Sequence, residues 1–347
     1  MKNKLLPLFA SSLFLPCFQS QAIELSKHLT TIVEPEPLKR VNPKYPMKAA
    51  REGRSGWSKF SFVIEKDGSV SNILEIASSG SKDLSNEAHK ALSKWKYTPA
   101  MENGEPIQQC LNTVQMDFVV QDGNKGVRGR FKRKYAKALA ALEEKNYPLV
   151  AELIEEMEQM DYRFVIENNY MHTIGADYAE SIGDKNQQFY HLSQISFFAK
   201  ENDAPEHQLS VFNKLFLLSI EMNNFQSAYD TYQKLTELPL AAPYLPKYKE
   251  IISKVDAFIG SDQDFLVQAN IKQHDYWHYS LVRNEFSLAN IKGSLNKIDI
   301  RCANKRHIYT VESNNTWTLP KTWKDCSLYI YGSDNTSFTL VEHPIKS

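Results

Sequence analysis

The hydrophobic period of this chain changes twice, and each change restricts the fold, because a segment patterned for strands does not settle as a helix. Between about residues 56 and 120 apolar side chains recur at alternate positions, with one helical stretch among them. From about 130 to 260 they recur three and four positions apart, and β-branched runs disappear. Beyond 263 the alternation returns. The chain reads as a multidomain α+β protein: a leader over 1–22, an α+β domain over 23–122, a helical-hairpin array over 123–262 and a small all-β, sandwich-like domain over 263–347. A length of 347 residues is too long for one ordinary core and suits that division.

The leader has the layout of a secretory signal peptide. Lys2 and Lys4 precede an apolar run from Leu5 to Phe18 that is interrupted by Pro7 and Pro16, and Ser20-Gln21-Ala22 supplies small residues at cleavage spacing. A membrane span needs about 20 apolar residues. The shorter, proline-broken run therefore predicts export with cleavage near Ala22 and no stable membrane anchor. Cys17 follows Phe14-Leu15-Pro16, a poor lead-in for lipoprotein processing.

Export permits disulfides. The cysteines left after cleavage are Cys110, Cys302 and Cys326, an odd number, so at most one internal bridge forms. Cys302 and Cys326 share the C-terminal strand-rich segment and are expected to pair, stabilising a small domain by about 3 kcal/mol on the chain-entropy model. The strand parity of Cys110 sets it with Val114, Met116 and Phe118 on an apolar face, where a thiol is a small inert hydrophobe.

Lysine plus arginine and aspartate plus glutamate both number 41, which removes any global electrostatic case for binding nucleic acid. One local imbalance stands out. Lys125, Arg128, Arg130, Lys132, Arg133, Lys134 and Lys137 run without an acid between them, while residues 138–262 carry nine bases against twenty acids. The basic run is expected to lie along its own acidic helical segment.

Within 23–122 the order is strand, strand, helix, strand. Phe60, Phe62 and Ile64 alternate with Ser61 and Val63. Lys66-Asp67-Gly68-Ser69 makes a turn, and a second strand follows from Val70 to Ile76. Leu84, Ala88, Ala91, Leu92 and Trp95 recur at helical spacing. The last run places Cys110, Asn112, Val114, Met116, Phe118 and Val120 on one face. Several signatures in this stretch fall in a familiar order: Asn42-Pro43-Lys44-Tyr45-Pro46, then Gly53 and Gly56, Phe62-Val63-Ile64-Glu65-Lys66-Asp67-Gly68, Ser78-Ser79-Gly80, Trp95-Lys96-Tyr97-Thr98-Pro99-Ala100 and Gly104. From about Val41 to Val120 the chain resembles the TonB C-terminal domain family. Asn42, Pro43, Tyr45 and Pro46 hold the family motif, with Asn42 where a glutamine is usual.

The resemblance implies a periplasmic, non-enzymatic interaction protein in transmembrane transport. Its partner would be a TonB-dependent outer-membrane receptor, whose TonB box peptide adds as a β-strand to the edge formed by Thr113, Val114, Gln115, Met116, Asp117, Phe118 and Val119. Here the domain comes first in the chain, so peptide pairing carries over better than force transduction. Two other readings stand beside it: a membrane-anchored energy transducer, and a periplasmic enzyme with an unrecognised site.

In the middle segment Asn224-Phe225, Ala228, Tyr232, Leu235 and Pro239 fall at offsets resembling the second helix of a tetratricopeptide repeat, and Ile174-Gly175 with Tyr178 resembles a first helix. Asn146-Tyr147, Val150 and Ile154 repeat the second-helix pattern. A stacked array of this kind offers a groove for a second protein or peptide. Chemistry is scarce. No phosphate-binding glycine loop occurs, Ser79 lacks the flanks of a nucleophile elbow, and His274 with His278 provides two metal ligands where a site needs more. No cofactor, metal or catalytic group is expected.

Overall fold

The computed structural model describes residues 32–120, 126–197, 205–272, 274–312 and 315–344. The leader and Lys125 lie outside the described residues. In the first part, β1 (Gly56–Ile64), β2 (Val70–Ser78), α1 (Lys82–Leu92) and β3 (Gln109–Phe118) appear in the expected order. The three strands form an antiparallel sheet in the order β2-β1-β3. Gly68 takes φ +75 in the β1–β2 turn, where an added Cβ would strike the carbonyl of Tyr97, so only glycine fits. The amphipathic face of α1 buries Leu84, Ala88, Ala91 and Leu92 against Phe60, Phe62 and Ile64, with Trp95 and Tyr97 closing the same core.

Among the described residues seven α-helices follow: α2 (Gly129–Glu143), α3 (Tyr147–Glu158), α4 (Val165–Ile182), α5 (Lys185–Gln194), α6 (Pro205–Glu221), α7 (Phe225–Thr236) and α8 (Leu245–Ile259). They pack chiefly with their chain neighbours, α2 on α3, α4 on α5 and α6 on α7. Asn146 and Asp184 cap α3 and α5 by accepting from the Leu149 and Gln187 amides, which supplies partners for otherwise orphaned helix-end donors. The basic run is partly neutralised within this segment. Arg128 forks onto the fully buried Glu167, and Lys134 bridges to Glu156. Among the described residues no helix is long and apolar enough to cross a membrane.

The last part contains β4 (Phe265–Asn270), β5 (Tyr276–Ser280), β6 (Glu285–Lys292), β7 (Leu295–Cys302), β8 (Lys305–Thr310), β9 (Thr316–Thr318), β10 (Ser327–Gly332) and β11 (Ser337–Glu342). They form two four-stranded sheets, β5-β10-β7-β8 and β9-β6-β11-β4, which share one core containing Phe286, Leu340, Ile298 and Leu328. The uneven apolar spacing in β6 and β7 has a cause: bulges lie between Ala289 and Lys292 and between Leu295 and Lys297. Cys302 and Cys326 form the expected disulfide inside this core.

The parts are not beads on a string. Arg283 donates to the carbonyls of Phe258, Ile259 and Ser261, so the third part caps the C-terminus of α8. The ring of Tyr162 lies between the guanidinium groups of Arg54 and Arg128, at 4.2 and 4.3 Å. Against the outer face of the first sheet stand β5, β7 and β10: Tyr329 reaches Ser61, Arg301 donates to the Asn72 carbonyl, and the Tyr276 hydroxyl donates to the Glu75 carbonyl. The β1 strand is thus buried on both faces, with Val63 fully enclosed on the side away from α1.

This second covering layer corrects the expectation for Cys110. The thiol is free and buried, but it is not in the core beneath α1. Phe62 pairs with Asn112 while Ile64 pairs with Gln109, so a bulge puts one extra residue into β3 and reverses the parity of Cys110. The thiol turns toward Arg306, Arg301 and Asp299 of the third part, and burial pushes it up to about 12.

Candidate functional site

One edge of the first sheet is β3, and the direction of its main chain follows from three hydrogen bonds. Trp57 donates its N–H to Ser79 Oγ at 3.1 Å and accepts the Ser79 N–H at 2.9 Å, both on the β2 side. The main chain of Trp57 therefore faces β2, and that of its neighbours Gly56 and Ser58 faces β3. Those two stand opposite Phe118 and Met116, whose amides and carbonyls must turn inward. Thr113, Gln115 and Asp117 consequently turn theirs outward. Val120 agrees with this phase, since its N–H is donated inward to Ser55 Oγ at 3.0 Å.

The outward positions are also the open ones. Thr113, Gln115, Asp117 and Val119 are exposed, while Met116 and Phe118 point into the core and Val114 is partly covered. Among the described residues no strand pairs with this edge. Of the seven edge residues named from the sequence, six lie within β3 and Val119 follows its end. Beside the N-terminal half of β3 a cavity of about 270 Å3 is lined by Arg40, Trp95, Tyr97, Asn112 and Val114. The Arg40 guanidinium lies over the Trp95 ring at 5.0 Å.

The motif residues serve this edge as a frame. Tyr45 packs edge-on against Phe118, with ring centroids 5.5 Å apart, and the Trp95 indole donates to the Val41 carbonyl. Pro43 and Pro46 are partly covered and Asn42 is exposed. Arg54, which the sequence reading passed over, is nearly fully buried and forks onto Asp83 at the start of α1. That hydrogen bond holds the Asp83 carboxyl below its ordinary value despite partial burial. The signal for the buried outer face was present in Trp57 and Val63, apolar residues at the positions of β1 that face away from α1.

The two histidines do not converge. His274 stacks on Tyr276 and His278 leans on Tyr329. Among the described residues there is no group of three or more His, Cys, Asp and Glu side chains able to hold a metal ion.

Comparison with known proteins addresses the same stretch. The family model described as Gram-negative bacterial TonB protein C-terminal matches residues 41–120. Residues 41–120 are a TonB C-terminal domain. Protein TonB of Pseudomonas aeruginosa is 31% identical over 72 residues, which span 21% of this chain and 21% of that protein. The chain thus spans about a fifth of the length of the curated relative it matches. Similar solved structures include the solution NMR structure of the Pseudomonas aeruginosa TonB C-terminal domain, at 27% identity over 26% of this chain and 90% of that one, with TM-score 0.23. The TonB2 protein from Vibrio anguillarum is 28% identical over 33% of this chain and 98% of that one, with TM-score 0.22. All seven candidate edge residues fall inside the TonB C-terminal domain, in its last strand or just after it.

Proposed function

We propose that the protein is an exported, non-enzymatic interaction protein of the periplasm, and that its TonB C-terminal domain binds an outer-membrane receptor by adding a TonB box strand along Thr113–Val119. The observation that carries this reading is the outward, unpaired main chain at Thr113, Gln115 and Asp117. Main-chain hydrogen bonds along such an edge supply affinity with little demand on side chains, and flanking pockets supply choice. The reading includes cleavage near Ala22 and three units over 23–122, 123–262 and 263–347. The helical pairs are read as a tetratricopeptide-like surface for a second protein or peptide, supported by the packing of α2 with α3, α4 with α5 and α6 with α7.

The test uses the full mature chain and a fluorescent TonB box peptide. Gln115→Pro removes an outward donor and spares the ladder, so binding is lost while circular dichroism is unchanged. Met116→Pro breaks a bond inside the sheet and lowers stability. Gln115→Ala leaves both intact. No binding by the folded parent at millimolar peptide, or parental binding by Gln115→Pro, would sink the proposal.

A further inference from the structure

A cleft lies where α5, the β4–β5 edge of the third part and β2 of the first part converge. Its inner cavity, of about 200 Å3, is lined by Tyr190, Trp277, His278 and side-chain amides including Asn186, Asn224 and Asn270. The cavity adjoins a larger one of about 770 Å3 through shared residues, among them Asp184, Tyr190 and Lys272. A space of about 150 Å3 accepts a benzene ring, so the inner cavity suits one six-membered ring and the outer one a continuation.

Three features of the lining point to the ligand. Asn224 occupies the N-cap position of α7 without capping it, unlike Asn146 and Asp184 on their helices, so its amide stays available to the cleft. The side-chain amides of partly covered Asn186 and exposed Asn270, at the mouth, likewise make no hydrogen bond among the described residues. The Tyr190 hydroxyl also makes no hydrogen bond among the described residues, and it is open to the cleft rather than sealed in the core. Carboxamides donate and accept at once, which is the pattern a hydroxyl group requires. Aromatic rings offer flat apolar faces with polar tips. Formal charge in the inner cavity is limited to Asp184, whose carboxylate caps α5, and Lys272.

We infer that this cleft binds a neutral saccharide, with a pyranose ring against the Tyr190 and Trp277 rings and its hydroxyls on Asn186, Asn224 and Asn270. Aromatic faces take the C–H face of the ring, and amides take the equatorial rim. In the inner cavity a strongly charged ligand would meet one carboxylate and one ammonium, and the outer cavity also mixes the signs, with Lys82 and Arg163 beside Glu155, Glu158 and Asp334, which favours neither anion nor cation.

The full mature chain is titrated with maltose, cellobiose and N,N′-diacetylchitobiose, each up to about 10 mM, while tryptophan fluorescence and saturation-transfer NMR are followed. At least one is expected to bind, and Asn186→Ala and Asn270→Ala are each expected to weaken it roughly tenfold without changing the thermal midpoint. Tyr190→Phe, which keeps the ring, should lose less than Tyr190→Ala. No binding of any of the three by the folded chain, or binding that survives both asparagine variants unchanged, overturns the inference. Selective binding of an acidic peptide or of acetylated lysine peptides at the same residues would also overturn it.

Discussion

Gly80 is where two parts of the molecule meet through one residue. It takes φ +76, and an added Cβ would collide with Nη2 of Arg163. Arg163 has little room to move, since it is buried and donates to the Met157 and Glu158 carbonyls and to Asn168. Gly80→Ala therefore combines left-handed strain with displacement of a bonded buried guanidinium, and should cost about 2 kcal/mol or more in urea unfolding of the full chain. A loss below about 0.5 kcal/mol would mean that Arg163 relaxes freely. The buried imidazoles give a pH dependence of defined sign. Burial holds His191 down at about 4 and His172 well below 6.5, so the folded state carries fewer protons than the unfolded state between those limits. Stability should fall as pH drops from about 6.5 towards 4. Glu342 works the opposite way. Burial pushes its carboxyl up to about 7 from 4.5, so the stability it contributes at low pH is lost as pH rises through that range. Thermal melts should show His191→Gln flattening the acid limb and Glu342→Gln flattening the decline between about pH 5 and 7.5. An acid limb unchanged in His191→Gln would exonerate the imidazoles.

At the scale of elements, β3 concentrates what the sequence tells and what it hides. Its inward face was legible, because Val114, Met116 and Phe118 keep strict alternation, and so was the helix packed on it, because Leu84, Ala88, Ala91 and Leu92 repeat at helical spacing. The disulfide was legible from locality. Cys110 was assigned to the wrong face because a bulge is one extra residue, which alternation alone cannot reveal when both flanking positions are polar or aliphatic. The saccharide cleft left no linear trace, since Asn186, Asn224, Asn270 and Trp277 come from three separate elements and loops. The bulge has a measurable consequence. Because Cys110 is enclosed and pushed up to about 12, a thiol reagent added to the native chain at pH 8 should leave Cys110 unlabelled and reach it only after denaturation, as peptide mapping would show. Rapid labelling of the folded chain would place Cys110 at a surface instead.

At the scale of the whole molecule, the TonB C-terminal domain is one layer of a larger stack. Its sheet carries α1 on one face and the β5-β10-β7-β8 sheet against the other, so Val63, Ser61 and Cys110 would all be uncovered if residues 32–120 stood alone. At the centre of this contact Asp299 receives Arg301 and Arg306, and Arg301 extends to the Asn72 carbonyl across the boundary. Arg301 and Asp299 are each about 1% exposed, so the contact is dry and removal of one partner leaves a buried charge underpaired. This arrangement presents the β3 edge from a sheet covered on both faces and leaves the outward main chain of Thr113, Gln115 and Asp117 unpaired. Native-state hydrogen exchange tests the coupling. In the parent chain, amides of β1 and β7 should open together, with similar free energies, because neither face is stable without the other. In Arg301→Met, where Asp299 keeps Arg306, β1 amides should exchange at least tenfold faster while β11, in the far sheet, stays protected. Independent opening of β1 and β7 in the parent, or equal acceleration of β1 and β11 in the variant, would show that the first sheet folds as a separate unit and that its partner layer is only a neighbour.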